Sequence, residues 1–324
     1  LYFEKQNLQL RHKMVEFCND GIKGQLNRFK KHLLDDSYDF HVELDKIGLF
    51  MLPKKLMNEK TQTDNLISNN YNHEENLVKR LMIYADIPIE LHLVAVLWIM
   101  RFGVKLDVQL DKYCWGNRLM IANDINTLKK GRWLYKPYHR QYQQWWSKAT
   151  EEANHLLKQD ESVCILNLDI QNYFHSIQFD FKKLDFLKRE LIEEGKTEVE
   201  RYLNNRIWNL FVGVHVKYNE KLIEYGLRTK KETYALPVGF PSSFLLGNWY
   251  LNDFDNAVNE TMKPCYYGRY VDDILIVTKE AKQYASTLEH ISMNMSKLLR
   301  PIKREKETYV LKMHPELKLQ SDKI

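Results

Sequence analysis

The chain has 324 residues, of which 44% are hydrophobic and 28% charged, a balance that is typical of folded globular proteins and excludes an intrinsically disordered chain. A formal net charge of +5 favours acidic partners without identifying one. The four cysteines are widely spaced and form no CxxC pair, so neither a zinc site nor a disulfide framework is expected. The most apolar run is shorter than the ~20 residues that span a bilayer, and no signal peptide is recognisable. We therefore expect no membrane contact and a reducing cytoplasm.

The N-terminal part of the chain is predicted to be mainly helical. Leu, Gln, Lys and Phe recur at roughly helical spacing through residues 1–34, with interruptions at Gly21 and Gly24. Residues 58–76 are polar and predict a surface loop. A helix from Glu74 to Tyr84 should follow, and after it comes an apolar run.

Basic and aromatic residues are interleaved between residues 101 and 150. This stretch has ten Lys or Arg against three Asp or Glu, with Trp and Tyr between them. Such a mixture suits a nucleic-acid groove. The alternative is an amphipathic helix over residues 136–157 whose rings face the core, and we favour it for Trp145 and Trp146. The residues that would bind phosphates are Arg118 and some of Lys129, Lys130, Arg132, Lys136 and Arg140.

An acidic residue ends the next apolar segment. Residues 163–170 predict a short, nearly continuous apolar strand, with Asp169 close to its C-terminal end. A carboxylate is rarely placed on such a strand unless its charge is compensated. A metal ion would compensate the charge.

Residues 178–235 are predicted to be an insertion. They contain a charged helical stretch from Asp180 to Glu200 and a polar segment with Lys221 and Arg228. A turn with Pro and Gly at residues 237–239 then opens into an apolar helix.

Two further carboxylates lie in a predicted hairpin turn. Residues 265–270 and the apolar run Ile274–Val277 predict two strands, joined by a tight turn with Asp272 and Asp273 at its tip. A solvated turn is the simpler interpretation of adjacent acids, but the apolar run must be buried on both faces, which places the pair at the rim of a core. The turn contains no Gly, Asn or Pro, so we expect local strain at Val271 and Asp272 of the kind found at functional sites.

The C-terminal part combines a helix with a basic segment. A helix is predicted from Tyr284 to Leu299, with Ile291 and Leu298 among the apolar residues on one face. The following residues, 300–308, are rich in Lys and Arg, and a solvated loop is one interpretation of them.

Four of these segments resemble motifs of reverse transcriptases, in the same order. Residues 169–177, Asp-Ile-Gln-Asn-Tyr-Phe-His-Ser-Ile, resemble motif A, and residues 236–251 resemble motif B. The Tyr-Val-Asp-Asp sequence at 270–273 resembles motif C, and residues 300–308 resemble motif D. The resemblance implies an α+β protein with the right-hand polymerase fold, in which an antiparallel palm sheet is accompanied by helical fingers and N-terminal helices.

The same resemblance divides the chain into regions. Residues 1–85 would be an N-terminal helical region, 86–160 the fingers, 161–310 the palm with its insertion at 178–235, and 311–324 the start of a thumb or another C-terminal region.

The motif match also implies the catalytic residues. Asp169 and Asp272 are expected to hold two Mg²⁺ ions, with Mn²⁺ as an alternative, because two-metal phosphoryl transfer needs ligands on separate strands. The Ile170 carbonyl would be a further ligand, and Asp273 a weaker one. Phe174 would be the aromatic gate beneath the incoming sugar.

The resemblance implies three more site residues. Gly239 and Tyr270 are expected at the substrate site, and Lys306 is expected to protonate the pyrophosphate leaving group, with Lys303 and Arg304 as competitors. For the gate, Tyr173 is the alternative to Phe174.

Two features resemble a subgroup, the bacterial defence-associated reverse transcriptases of the abortive-infection and unknown-group types. Gly116-Asn117-Arg118 resembles a short motif of their fingers, in which Gly116 would permit an unusual turn and Arg118 would contact a phosphate. Val238 stands where many reverse transcriptases have Gln, which also fits this subgroup.

Membership of this subgroup implies an RNA-directed DNA polymerase in antiphage defence, in the bacterial cytoplasm. The implied partners are dNTPs, an RNA template and a DNA product. A structured non-coding RNA is one candidate for the template, and homo-oligomerisation stays open. The alternatives are a retron or group II intron type of reverse transcriptase, a template-independent or protein-primed DNA polymerase, and a non-catalytic nucleic-acid-binding scaffold.

Overall fold

The structure is a computed structural model that describes residues 8–19, 21–56, 78–124, 127–131, 133–193, 195–279, 291, 293–302 and 308–319. Among these residues, no helix is both long and apolar enough to cross a membrane.

The N-terminal part consists of helices and a hairpin. Its elements are α1 (Leu8–Asn19), α2 (Ile22–Leu34), α3 (His41–Asp45), β1 (Gly48–Leu56) and β2 (Val78–Asp86). The predicted interruption at Gly21 is confirmed, because its φ of 87° separates α1 from α2, whereas Gly24 lies inside α2.

The prediction of a helix from Glu74 to Tyr84 is wrong for residues 78–84, the part of it that the structure describes. Val78–Asp86 is β2, which pairs antiparallel with β1 in the register Phe50↔Tyr84. Ile83 and Ala85, two residues apart, both pack against a small core cluster around Tyr218. Pairing with a distant strand therefore outweighed the helical spacing of the local sequence. The predicted loop at 58–76 lies outside the described residues.

Helices build most of the core around a central sheet. In chain order they are α4 (Ile89–Trp98), α5 (Val104–Asp107), α6 (Tyr138–Lys158), α7 (Tyr173–Ser176), α8 (Asp185–Lys188), α9 (Glu198–Glu224), α10 (Pro241–Tyr250) and α11 (Asn252–Met262). A π-helical turn, Ile99–Gly103, joins α4 to α5, a 3₁₀ turn covers Phe181–Leu184, and a π-helical turn covers Arg189–Glu193.

The segment predicted as an insertion contributes to the core. Helix α9 packs along α4, where the rings of Trp98 and Phe211 stack with centroids 4.0 Å apart and both side chains are fully buried. The helical stretch predicted from Asp180 to Glu200 is confirmed at residues 181–193, which form three consecutive short helical segments, and at its end, where α9 begins at Glu198. Lys221, expected in a polar segment, lies in the last turn of α9.

The central sheet carries the carboxylates. Its strands β3 (Val163–Asp169), β4 (Tyr266–Tyr270) and β5 (Asp273–Lys279) are antiparallel in the order β3-β5-β4. The predicted burial of Ile274–Val277 is confirmed, since each of these residues is at most 1% exposed. Helix α11 packs against β4, α10 packs against α11, and α6 packs over β4 and β5.

The C-terminal part adds a small hairpin of β6 (Leu299–Pro301) and β7 (Tyr309–Leu311). The helix predicted from Tyr284 lies largely outside the described residues, and its predicted last residue, Leu299, belongs to β6. Lys303, Arg304 and Lys306 also lie outside the described residues.

Candidate active site

The turn between β4 and β5 is strained, as the sequence predicts. Val271 has a φ of 61°, in the left-handed region that β-branched residues avoid. Such a conformation costs about 1–3 kcal/mol and persists only where the surroundings impose it. The neighbours of Val271 therefore matter for the position of Asp272.

A buried ion pair holds this turn. Arg269 is fully buried, and its Nε and Nη2 donate to the two carboxylate oxygens of Asp255 on α11 at 2.7 and 2.6 Å. Its Nη1 donates to the carbonyl oxygen of Val271 at 2.8 Å. Burial disfavours the charged guanidinium, but the Asp255 carboxylate outweighs it and raises the pKa of Arg269 well above its usual value. Arg269 is therefore a charged clamp on the strained turn.

The clamp reaches α10 and the loop that contains Gly116. Nη2 of Arg269 also donates to the backbone oxygen of Asn248, whose side-chain amide donates to the backbone oxygen of Gly116 at 2.5 Å. A Cβ at Gly116 would lie 2.9 Å from the backbone nitrogen of Val271. Glycine at 116 thus gives the turn room. The unusual backbone conformation expected there belongs instead to Asn117, which has a φ of 51°.

Arg118 does not offer its guanidinium to a ligand, which corrects the expected phosphate contact. Its Nε donates to the Asp107 carboxylate at 3.2 Å, and Nη1 and Nη2 donate to four backbone carbonyl oxygens between residues 107 and 114. All five N–H groups of the fork are therefore committed within the protein. Arg118 fixes the loop that follows α5.

The three acidic residues of the predicted motifs line one cavity of about 660 Å³. Asp169 and Asp273 are directly opposite each other in the β3–β5 register, so their side chains share one face of the sheet. Asp272 occupies the turn, and its carbonyl oxygen accepts from the backbone N–H of Ile170 at 3.2 Å. The structure thus brings together Asp169, Ile170, Asp272 and Asp273.

The other walls of the cavity come from four parts of the chain. Motif A contributes Asn172, Tyr173, Phe174 and His175, the strand β2 contributes apolar residues, and the end of α9 and the motif B turn contribute the rest. The contributed residues outside motif A are Leu81, Met82, Ile83, Leu222, Leu227 and Val238.

Tyr173 and Phe174 differ in how they are held. They lie in the short helix α7. Tyr173 is 2% exposed, and its hydroxyl donates to the Gly247 carbonyl oxygen at 2.5 Å, so it is anchored in the core. Phe174 is partly buried and packs edge-on against Phe244 at a centroid distance of 6.0 Å. Both rings border the cavity. Tyr173 is held by its hydroxyl bond, whereas Phe174 has no hydroxyl to hold it.

The remaining sequence-predicted residues lie at the margins. Gly239 has a φ of 94° and adjoins a smaller pocket with Lys13 and His92. Tyr270 is 7% exposed and lies beside α6, and its hydroxyl has no hydrogen-bond partner among the residues that the structure describes. Burial raises the pKa of the Tyr270 hydroxyl. Tyr270 therefore borders the carboxylates without lining the main cavity.

The basic stretch is mostly exposed. Lys129, Lys130, Lys136 and Arg140 are exposed, and Arg132 lies outside the described residues. Trp145 is buried, as predicted, and covers Gly268 of β4. The prediction that the Trp146 ring faces the core is wrong, because Trp146 is 48% exposed on the outer side of α6.

The donor chemistry at the carboxylates suits a hard cation. Carboxylate and carbonyl oxygens are the ligands that Mg²⁺ and Mn²⁺ prefer. Across the described ranges, no three His, Cys, Asp or Glu side chains converge closely enough to hold a metal by themselves. Mg²⁺ is usually bound by one or two carboxylates together with substrate phosphates, so this donor set fits an ion that arrives with a nucleotide.

Sequence reasoning missed the Arg269–Asp255 clamp and the wall formed by β2. A signal for the clamp was present in the sequence. Arg269 is the one charged residue of β4, whose other residues are Tyr and Gly, and a charge on a buried strand requires a partner. The partner itself lies on another element, and no local pattern identifies it.

One comparison with known proteins gives a match. The sequence model of the family described as reverse transcriptase (RNA-dependent DNA polymerase) matches residues 120–321, more than half of the chain. In a comparison with curated proteins, no sequence matches. The matched residues include the carboxylates of β3 and of the β4–β5 turn. The chain belongs to the reverse transcriptase family, whose members are nucleotidyltransferases that copy RNA into DNA.

Proposed function

We propose that this reverse transcriptase extends a 3′ hydroxyl with dNTPs by two-metal phosphoryl transfer at Asp169 and Asp272. One observation carries the proposal: the end of β3 and the β4–β5 turn place these carboxylates on the wall of one cavity that Phe174 also borders. The cavity has the volume and the mixed polar and apolar lining expected of a small-molecule site.

Divalent metal ions, when bound, supply charge neutralisation for the phosphates and activate the attacking hydroxyl. The chain's own part is to hold the carboxylates in place. Asp169 is fixed by the β3–β5 pairing, and Asp272 by the turn that Arg269 clamps. The Ile170 carbonyl and Asp273 are the further oxygen donors that we assign to the metals.

We assign substrate selection to Phe174 and the protonation of pyrophosphate to Lys306. An aromatic ring beneath the sugar would collide with a 2′ hydroxyl and leave it without a hydrogen bond, which favours dNTPs. Gly239 and Tyr270 are assigned to the margins of the nucleotide and primer sites. We also retain the division into fingers at 86–160 and palm at 161–310 as part of the proposal.

The proposed biological role is antiphage defence in the bacterial cytoplasm, with a structured non-coding RNA as template. Its support is the resemblance of Gly116-Asn117-Arg118 and Val238 to defence-associated reverse transcriptases. The contacts of Gly116 with the turn give that motif a physical reason that does not depend on a phosphate.

The test is incorporation of dNTPs by the purified protein with Mg²⁺ or Mn²⁺, on a primed RNA template and without any template. We expect RNA-dependent synthesis that rNTPs do not replace. Synthesis of equal extent without template would contradict the RNA-directed function and favour the template-independent alternative. Sequencing the copurified nucleic acid, and phage plating on cells with and without the gene, test the template and the defence role separately.

A further inference from the structure

Helix α6 carries three exposed aromatic rings in line. Tyr138, Tyr142 and Trp146 are 56%, 39% and 48% exposed, and their four-residue spacing places them one above another on the helix, at ~6 Å per step. We call these three residues the aromatic row. The core stripe of α6 is a different one, formed by Gln141, Trp145 and Ala149 among others, so the exposed faces of the row are not part of the core.

The aromatic row begins beside Tyr270, which is the neighbour of Asp273 in the sheet. The ring centroids of Tyr142 and Tyr138 lie 5.3 and 6.2 Å from that of Tyr270. Tyr270 pairs with Asp273, and Asp273 pairs with Asp169, so these residues share a face of the sheet. A strand of nucleic acid that lies at the carboxylates can therefore continue along the row.

The charges around the aromatic row favour a polyanion. Residues 125–150 contain no acidic residue, and Lys136, His139 and Arg140 are exposed near the first ring. Rings combined with basic side chains are the usual means of binding single-stranded nucleic acid, because unpaired bases stack on the rings while the cations meet the phosphates. A protein interface would have its charged residues at the rim and fewer beside the rings.

We propose that the aromatic row binds the unpaired bases of the template strand next to the active site. This inference rests on the proposed function and adds the path of one strand to it. The primer ends at the carboxylates, since its 3′ hydroxyl attacks the nucleotide. A strand that continues past them without a partner is the template, and only unpaired bases expose the faces that rings can stack on.

The test compares three RNA–DNA duplexes: one that is blunt, one with a short unpaired extension of the RNA template, and one whose extension lacks bases. The variants are Trp146→Leu and Tyr142→Leu, and the matched control is Leu157→Ala, a change at an apolar residue of the same helix that is 57% exposed and has no ring. Dissociation constants are measured by fluorescence anisotropy at several salt concentrations.

For the unchanged protein and for Leu157→Ala, we expect the extension with bases to bind more tightly than the blunt duplex. In each row variant, the affinity for the duplex with the extension should fall roughly tenfold, which is the scale of stacking on one ring. The affinity for the blunt duplex should stay unchanged. The extension without bases should bind like the blunt duplex. The salt slope should not change, because the variants remove no phosphate contact.

Three results would overturn the inference: an undiminished gain in both row variants, an equal gain for the extension without bases, or an equal loss on the blunt duplex. A change in sedimentation without a change in binding would identify the row as a subunit interface and also overturn it. If the unchanged protein neither binds the duplexes nor extends a primer, the proposed function fails, and this inference fails with it.

Discussion

Replacing Asp255 by asparagine tests whether the buried clamp sets the catalytic turn. The change keeps the shape of the side chain and removes its charge, while the Arg269 guanidinium stays fully buried. Breaking one partner of a buried ion pair costs about 3–5 kcal/mol, because the remaining charge is left without compensation. A folded domain has about 5–15 kcal/mol in total, so Asp255→Asn should lower the free energy of unfolding by a large fraction. The measurement is urea unfolding followed by circular dichroism.

A double variant separates stability from positioning. Arg269→Met with Asp255→Leu replaces the ion pair by apolar side chains, which is often neutral for stability. It also removes the N–H that donates to the Val271 carbonyl oxygen, so nothing of the clamp holds the strained turn. We expect the double variant to be more stable than Asp255→Asn but less stable than the unchanged protein, because the Tyr267 hydroxyl and the Asn248 and Val271 carbonyl oxygens lose their partners. It should have a lower kcat for dNTP addition, with little change in the KM for dNTP.

The control is Glu260→Gln, which removes an exposed carboxylate from the same helix, α11, and should change neither quantity. The reasoning would be refuted if Asp255→Asn lost less than about 1 kcal/mol, the scale of a surface pair. Recovery of full kcat together with stability in the double variant would show that the clamp only stabilises the fold.

Three further predictions follow from the site and the core. Phe174→Ala should let rNTPs compete with dNTPs in incorporation assays, whereas Tyr173→Ala should not, and the opposite result would exchange their roles. Neutralising the exposed Lys129 and Lys136 should weaken RNA binding and lower its salt slope by about one unit per lost phosphate contact, so an unchanged slope would mean a solvated surface. Burial lowers the pKa of His215 to about 4, below its unfolded value of about 6.5. The contribution of neutral His215 to the free energy of unfolding should therefore be fully present above pH 6.5 and be lost as the pH falls towards 4. His215→Leu should flatten this dependence in urea unfolding between those pH values, and an unchanged slope would contradict the assignment.

The sequence was most informative where charge and burial conflict. Asp169 at the end of an apolar strand, and the turn at Val271 without turn-forming residues, both signalled compensation by something outside the local sequence. The structure confirms the strand, the turn and the strain. These features are local, since strand alternation and turn chemistry depend on a few neighbouring residues.

The features that sequence reasoning missed depend on distant partners. The strand β2 has a sequence that also suits a helix, and only its pairing with β1 decides between the two. Arg118 could equally have faced a phosphate, but five donors find Asp107 and backbone oxygens in the folded loop. Trp146 lies beside Trp145 in sequence, and the exact orientation of α6 on the sheet exposes one ring and buries the other.

The central claim is that Asp169 and Asp272 together hold the catalytic metals. The most direct test measures Mg²⁺-dependent dNTP incorporation on a primed RNA template by Asp169→Asn and Asp272→Asn, with Asp185→Asn as an exposed control on α8. The account predicts that each active-site variant remains folded, because it removes one of several like charges, and loses incorporation, while the control keeps it. Full activity in a well-folded Asp169→Asn or Asp272→Asn protein would contradict the claim.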